Sequence, residues 1–468
     1  CASVQDQSHP SLWLDEDMNN TPQSSTSDTP PESGFARFLR ATEIDPRLLG
    51  MVGALVLIWV AFELYSALVL GRPSMLLGAS QAEANGFLTP RNLWNLSVQT
   101  ASIGIMATGM VLVIITRNID LSVGSIVGVT GMYMGLLQVE WLPQYLGLGH
   151  PMIWVVTVIF GITVGALIGA LQGSLIAFLS IPSFIVTLGG LLIWRGVAFL
   201  AADGRTISPV DSTFALIGGG PYGSIGATGS WIIAALTCVG LIWLVMRGRS
   251  NRVRHGFALR PVWAEVFMAV LGCAVILIAT MVVNSYPWPK GILKDYYATL
   301  GQEVPEGAFI AHGFAYPVIL LAVVAILMTV LMTRTRFGRY VFAIGGNPEA
   351  AALSGINTRA MTVKIFALMG GLAGLSGVIA SARLNSATNA LGDLDELYVI
   401  AAAVVGGTSL AGGVGTIYGA IIGALVLVSL QTGMVLIGFG DGSYRKIVIG
   451  GALVLAVYLD IVYRKRIK

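Results

Sequence analysis

Apolar runs of 16–25 residues recur along nearly the whole chain, and each is long enough to cross a ~30 Å hydrocarbon core as a helix. With 55% hydrophobic and 11% charged residues, the chain is far from a soluble protein, in which about a quarter of the residues are charged. The expected fold class is all-α: a polytopic helical membrane protein whose first partner is the lipid membrane. Spans are expected near 48–70, 93–116, 121–138, 152–179, 184–200, 231–246, 262–283, 316–332, 365–380, 397–409, 416–437 and 447–462. The run at 397–409 is short and ends in glycine, so it reads as a broken or re-entrant helix. The count is about 10–12 transmembrane helices.

Loop charges set orientation, because short cytoplasmic loops retain Lys and Arg. With the N-terminus inside, 18 of the 27 Lys and Arg fall in interior segments, 8 fall outside, and Arg195 lies within a span. Both termini are therefore expected in the cytoplasm, with a basic loop at 247–261 ("RGRSNRVRHGFALR") and a second loop at 333–364. Two exterior loops, 201–230 and 284–315, are of a length usually found in functional or lid-like segments.

Residues 1–47 read as a disordered cytoplasmic tail, since "MNNTPQSSTSDTPPESG" cannot bury enough surface to order itself. Met18 is a candidate start, and no charged–apolar–small pattern marks a cleaved signal peptide. Residues 48–463 form the membrane domain, and 464–468 a short cytoplasmic tail. The net charge of +3 is too small to suggest nucleic acid as a partner. Cys1, Cys238 and Cys273 suggest no disulfide framework, and His9, His150, His255 and His312 have no metal-ligand spacing.

Tightly packed membrane helices carry small residues at spacing four. Gly165, Gly169 and Gly173 form such a row in "GALIGALQGSLI", and Gly419 and Gly423 another in "GAIIGALVLVSL". The two stretches match at six of their first seven residues. Either the chain contains a two-fold internal repeat, as transporter folds often do, or two Gly/Ala/Leu-rich helices resemble each other by chance.

Charges within spans are few, and such groups face a protein interior or a water path. Asp120, in "RNIDLSVGS", is either a helix-start residue favoured by the macrodipole or part of a path. Arg195, in "LLIWRGVAFL", is either a structural or snorkelling cation or part of the same path. An ion-coupled carrier needs several acids in its spans, and almost none stand at midspan. The chain has no Walker A motif (G-x-x-x-x-G-K-[ST]) and no catalytic cluster, so it is not expected to be an enzyme, and any ATP is bound elsewhere.

Four motifs resemble the permeases of bacterial ABC importers for pentoses and related sugars: "RNIDLSVGS" at 117–125, "IPSFIVTLGGLLIWRG" at 181–196, "GRYVFAIGGNPEAAALSGIN" at 338–357 and "VVGGTSLAGGVGTIYGAIIGA" at 404–424. Their order and spacing resemble the ribose/xylose/arabinose/galactose branch. The basic loop and extra span at 262–283 make the chain longer than ribose-type permeases and most similar to the xylose-type subgroup. The resemblance implies an inner-membrane permease that translocates a monosaccharide. It also implies a second permease subunit (a homodimer), cytoplasmic ATPase subunits that bind the ATP, a periplasmic sugar-binding protein, and no cofactor on this chain. The candidate translocation path comprises Asn118, Asp120, Gln172, Arg195, Asn385, Ser386 and Thr388.

The segment "GGNPEAAALSGIN" then reads residue by residue. Asn347 is a favoured N-cap, Pro348 suits the first helical position, and Glu349 suits the positive end of the dipole. Ala350 and Ala351 propagate the helix and Gly355 stops it, after a flexible Gly345–Gly346 pair. In the resembled family this loop couples to the ATPase. A stand-alone secondary sugar carrier, and a non-transporting scaffold or sensor subunit, are the rival readings.

Overall fold

The computed structural model describes residues 34–80, 83–440, 442–444, 446–451, 453–454 and 458. Outside the described residues lie Cys1, His9, Met18, the tails at 1–33 and 464–468, and half of the expected span at 447–462. The principal helices are α1 (Gly34–Thr42), α2 (Pro46–Leu68), α3 (Pro90–Ile115), α4 (Val123–Leu136), α5 (Met152–Leu179), α6 (Ser183–Ala201), α7 (Gly226–Arg254) and α8 (Val262–Asn284). They continue with α9 (Lys290–Thr299), α10 (Tyr316–Arg334), α11 (Arg336–Gly346), α12 (Pro348–Leu353), α13 (Thr358–Leu384), α14 (Asp395–Val405) and α15 (Ile417–Leu436). Among the described residues there is no β-strand, only isolated bridges, so the all-α expectation holds.

Nine of these helices are long and apolar enough to span a membrane: α2, α3, α5, α6, α7, α8, α10, α13 and α15. Helix α4 has 14 residues, but its next turn at Leu137–Trp141 loosens to wider hydrogen-bond spacing and runs on to Leu146. Pro143, which would clash with the carbonyl four residues back in a tight helix, accounts for the widening. Helix α14 has 11 residues, roughly 16 Å. It ends at the Gly406–Gly407 pair and follows a non-helical stretch at 385–394, as its short, glycine-ended sequence led us to expect.

Helices α3 and α13 form the inner pair. Buried residues make up 89% of the apolar window of α3 and 72% of that of α13, against 11% for α2, α7 and α8. Met106, Met110, Ile126, Met132, Phe366 and Met369 are fully buried between them and α4. The packing partners exchange as a two-fold repeat requires: α13 packs on α5 and α4 as α3 packs on α15 and α14, and α4 meets α5 as α14 meets α15. Helices α3 and α13 are antiparallel, since the end of α3 and the entry to α13 both adjoin α11–α12. The resembling stretches at 165–176 and 419–430 occupy the exchanged helices α5 and α15.

The glycine rows work by removing bulk where helices cross. A Cβ on Gly165 or Gly169 would strike the backbone carbonyl of Gly370 or Phe366 on α13, and one on Gly173 would lie 2.9 Å from Val363 Cα. Gly419 and Gly423 instead abut the carbonyls of Gly406 and Ala402, at the end of α14. The two rows therefore grip different partners, although their helices correspond.

Two segments expected to be a disordered tail and a loop are helical in part. The tail expected to be disordered to residue 47 is helical from Gly34, because Phe38 on α1 stacks on Trp263 at 6.1 Å and meets Phe267 edge-on at 5.4 Å. The basic loop at 247–261 is helical through Arg254. Three of its five arginines are in ion pairs: Arg249 pairs with Glu265 at 2.9 Å, and Arg252 and Arg260 both grip Glu43. Hydrogen bonds from Arg260 and then Arg252 hold the Glu43 carboxyl at about 2, below its ordinary 4.5. A depressed folded-state value means this contribution is present above pH 4.5 and is lost as pH falls toward 2.

At the opposite end, the loop at 284–315 is packed at its two ends, while residues 298–307 are exposed. The His312 ring stacks on Tyr286 at 4.1 Å, and Trp94 Nε1 on α3 donates to the Gly313 carbonyl at 2.9 Å. Burial pushes the His312 imidazole below its usual range, so the neutral ring is the form that fits this cluster.

Candidate functional site

The segment between α10 and α13 consists of two consecutive helices rather than a loop. Asn347 Oδ1 accepts from the amides of Glu349 and Ala350, both at 3.0 Å. Pro348 opens α12. Gly355 has φ +85°, a left-handed conformation that favours glycine, just past the end.

Gly345 and Gly346 are not a flexible link: they complete α11. Gly345 is buried, and a Cβ there would strike the Ile115 carbonyl and lie 2.8 Å from Gly413 N. Arg117, just beyond α3, donates from Nε to the Gly345 carbonyl at 3.0 Å and from Nη2 to the Gly346 carbonyl at 2.7 Å. A cation at a helix C-terminus meets carbonyls that have no partner within the helix. Gly413 N donates to the Ile115 carbonyl at 3.0 Å. The end of α3, the end of α11 and the turn between α14 and α15 are thus tied at one place.

Helix α12 has six residues, too few for stability alone in water. Ala351 is its buried anchor, whereas Glu349, Ala350 and Ala352 are exposed and the Leu353 side chain stands 91% exposed. The outward face is therefore made of Glu349, Ala350, Ala352 and Leu353, with Ala351 turned inward.

The expected path residues do not line one passage. Asn118 is half-buried and donates to the Thr116 carbonyl at 3.1 Å. Asp120 is buried at the entry to α4, where Oδ1 accepts from Ser122 N at 2.9 Å and Ser122 Oγ at 2.6 Å. Ser122 Oγ also lies 2.8 Å from Gln172 Oε1 on α5. These three residues form one buried polar knot, beside Gly190 of α6. Arg195 donates to the carbonyls of Asn389 at 3.0 Å, Leu391 at 2.8 Å and Gly392 at 3.1 Å. It pins the non-helical segment that leads into α14. Asn385 and Ser386 sit at the turn after α13, where the Asn385 carbonyl accepts from Ser208 Oγ. Of the seven, Thr388 alone lines the polar cavity beside α3, α13 and α15.

Sequence reasoning passed over Arg117 as a site residue, and the cavity residues Gln99, Arg383, Asp393, Asp395 and Gln431. The run "GDLDEL", acidic at the mouth of a short span, was the available signal. Glu63 was also missed. It lies buried in α2 and accepts from Ser74 Oγ and Leu88 N, so it fastens the loop after α2.

Comparison with known proteins gives a consistent assignment. The family described as "Branched-chain amino acid transport system / permease component" matches residues 92–260 and 213–457. The xylose transport system permease protein of Haemophilus influenzae is 36% identical over 387 residues, covering 83% of this chain and 93% of that one. The corresponding protein of Escherichia coli K12 is 37% identical over 380 residues, with coverage of 81% and 87%. The ribose import permease protein of Escherichia coli K12 is 31% identical over 374 residues, with coverage of 80% and 87%. No solved structure matches the chain. Nine candidate spans and a match across most of the bundle lead to one assignment: this chain is a multi-pass membrane protein of the branched-chain amino acid transport system / permease component family.

Proposed function

We propose that the chain is the permease subunit of an ATP-binding-cassette importer in a bacterial inner membrane, carrying a monosaccharide inward, with D-xylose or a related pentose as its cargo. The xylose and ribose permeases to which it is similar support the sugar class. A second copy completes the channel, and both termini face the cytoplasm with α11 and α12. ATP is bound by cytoplasmic ATPase subunits, and a periplasmic binding protein delivers the sugar. The bulk of the basic residues lies on the α11–α12 side, as an interior face requires.

The observation that carries this reading is the mechanical tie beneath α12. A short helix with an exposed leucine, capped and then anchored through Gly345 and Arg117 to α3 and to the α14–α15 turn, suits a lever. Seating of Leu353 and its exposed neighbours in a groove of the ATPase follows helix-in-groove recognition. Movement of that groove then reaches the inner helix α3 directly. The relatives are named as permease proteins of a xylose transport system and of ribose import, which favours this reading over a stand-alone carrier.

The test is Leu353→Arg. The side chain is 91% exposed, so the fold is expected to be unaffected. Loss of a central interface anchor typically costs about 2 kcal/mol or more, so co-purification of the ATPase is expected to fall at least tenfold. Undiminished ATPase recovery with Leu353→Arg would remove α12 as the docking element.

A further inference from the structure

A cavity of about 310 Å³ opens between the outer half of α3, the end of α13, the segment leading into α14, and α15. Gln99, Arg383, Thr388, Asp393, Asp395 and Gln431, together with Ser102, supply its polar lining. All four walls reach it from the same end of the bundle, the end that loop charges assign to the exterior. Polar side chains within a membrane bundle are costly and mark paths for polar cargo. Here the side chains of Gln99, Arg383, Thr388, Asp393 and Gln431 make no hydrogen bond to any described residue. Their donors and acceptors are free to meet something that enters.

We infer that this cavity is a transit subsite for a single neutral monosaccharide, held by the Gln99 and Gln431 amides and the Arg383, Asp393 and Asp395 side chains. This rests on the sugar-import reading and adds a place where the permease itself touches the sugar. The lining selects the chemistry. A cation would meet the Arg383 guanidinium, and an anion would meet two carboxylates. A polyhydroxylated ring, in which every hydroxyl both donates and accepts, matches a mixture of amides, a guanidinium and carboxylates.

Size narrows the cargo further. The volume lies at the low end of the ~300–1,000 Å³ range of small-molecule pockets. It equals the room of about ten waters at ~30 Å³ each, enough for one ring with some hydration and too small for an oligosaccharide. No aromatic side chain lines the cavity, so it lacks the stacking face that gives sugar sites their tightness. A transit site must bind strongly enough to admit cargo and weakly enough to release it, so the affinity is expected to be millimolar.

The wall is also held in place. Arg195 bonds the carbonyls of Leu391 and Gly392, which border the cavity from behind. At its wall, the Ser102 hydroxyl meets that of Ser376 at 2.5 Å and joins α3 to α13, and further along α3 the fully buried Met106 and Met110 close the bundle. A sugar arriving from the exterior meets this cavity before the closed core.

The test places one cysteine in the cavity of the assembled importer, with Cys1, Cys238 and Cys273 replaced by serine. Gln431→Cys, and separately the near-isosteric Thr388→Cys, are labelled with a water-soluble methanethiosulfonate. D-xylose at tens of millimolar is expected to slow labelling at least fivefold at both positions. Betaine at the same concentration should have no effect, and neither additive should affect Leu148→Cys on an exposed exterior turn. Labelling that is indifferent to xylose, in an importer that still transports the sugar, overturns the subsite and leaves the transport reading intact. Protection by sodium chloride instead of xylose would make it an ion site and also overturns it. If the wild-type complex carries no sugar at all, the import reading fails and the subsite fails with it.

Discussion

Gly169→Leu is expected to abolish recovery of folded protein. The Cβ alone would strike the Phe366 carbonyl where α5 crosses α13, and a carbonyl held in a helical ladder cannot rotate aside. Overpacking typically costs 1–3 kcal/mol where side chains can yield, so a clash with backbone is expected to cost about 3 kcal/mol or more. The penalty falls on the most extensive helix pairing in the molecule. The readout is the monodisperse fraction on size exclusion in mild detergent, at matched expression. Gly169→Ala should already reduce it. Gly189→Leu, on α6 with nothing within 4 Å of its Cβ position, should leave it unchanged. Equal yields from Gly169→Leu and Gly189→Leu would mean that the α5–α13 crossing does not depend on close backbone approach.

Arg117→Ala is expected to separate ATP hydrolysis from transport. The substitution removes both guanidinium bonds to the end of α11 and leaves the outer surface of α12 untouched. Hydrogen bonds to charged groups contribute about 1.5–3 kcal/mol each where they are shielded. Arg117 is exposed, so about 2 kcal/mol for the pair is a suitable discount, or roughly 30-fold in the population of the tied state. Sugar moved per ATP should therefore fall at least tenfold while the ATPase still co-purifies. Arg117→Lys, which offers a point charge in place of a two-pronged donor, should retain part of the coupling. Arg117 also has φ +63°, so Arg117→Gly is a useful companion: it relieves the backbone but removes the bonds, and should behave like the alanine variant. Loss of ATPase association in parallel with transport would assign Arg117 to assembly instead.

The chain states some of this architecture openly and conceals the rest, for physical reasons. Hydropathy reveals a span because burial in lipid is written residue by residue, so the nine long helices lie where their apolar runs lie. The broken helix at α14 was legible from its glycines, and the start of α12 from Asn347 and Pro348, because capping is a local affair. Gly345 was misread because its rigidity comes from Ile115 and Gly413, neither near in sequence. A six-residue helix such as α12 presents too little periodicity to show which side is buried, so the roles of Ala351 and Leu353 could not be told apart. The carbonyl partners of Arg195 lie almost two hundred residues away, and main-chain carbonyls leave no mark in a sequence. Order in the tail after Gly34 depends on Trp263 and Phe267 of α8, and composition alone does not report such borrowed stability.

The cavity illustrates the same limit at the candidate site. Gln99, Arg383, Asp393 and Gln431 each look like an ordinary end-of-span residue, and only the antiparallel course of α3 against α13 and α15 gathers them. By contrast, Asp120 and Gln172 attract attention as polar residues in an apolar setting, yet they serve each other through Ser122. Isolation in sequence marks these groups as notable but does not show that Ser122 joins them, with Asp120 Oδ2 and Gln172 Nε2 left without a partner among the described residues.

The central claim is that this chain moves a sugar only when an attached ATPase drives it. Proteoliposomes holding the chain, its ATPase partner and the sugar-binding protein, assayed for uptake of radiolabelled D-xylose, test it most directly. The account predicts accumulation that requires ATP on the α12 side and all three components, with no uptake by the chain alone under a proton or sodium gradient. Gradient-driven accumulation by the purified chain, without ATP or partners, would contradict it.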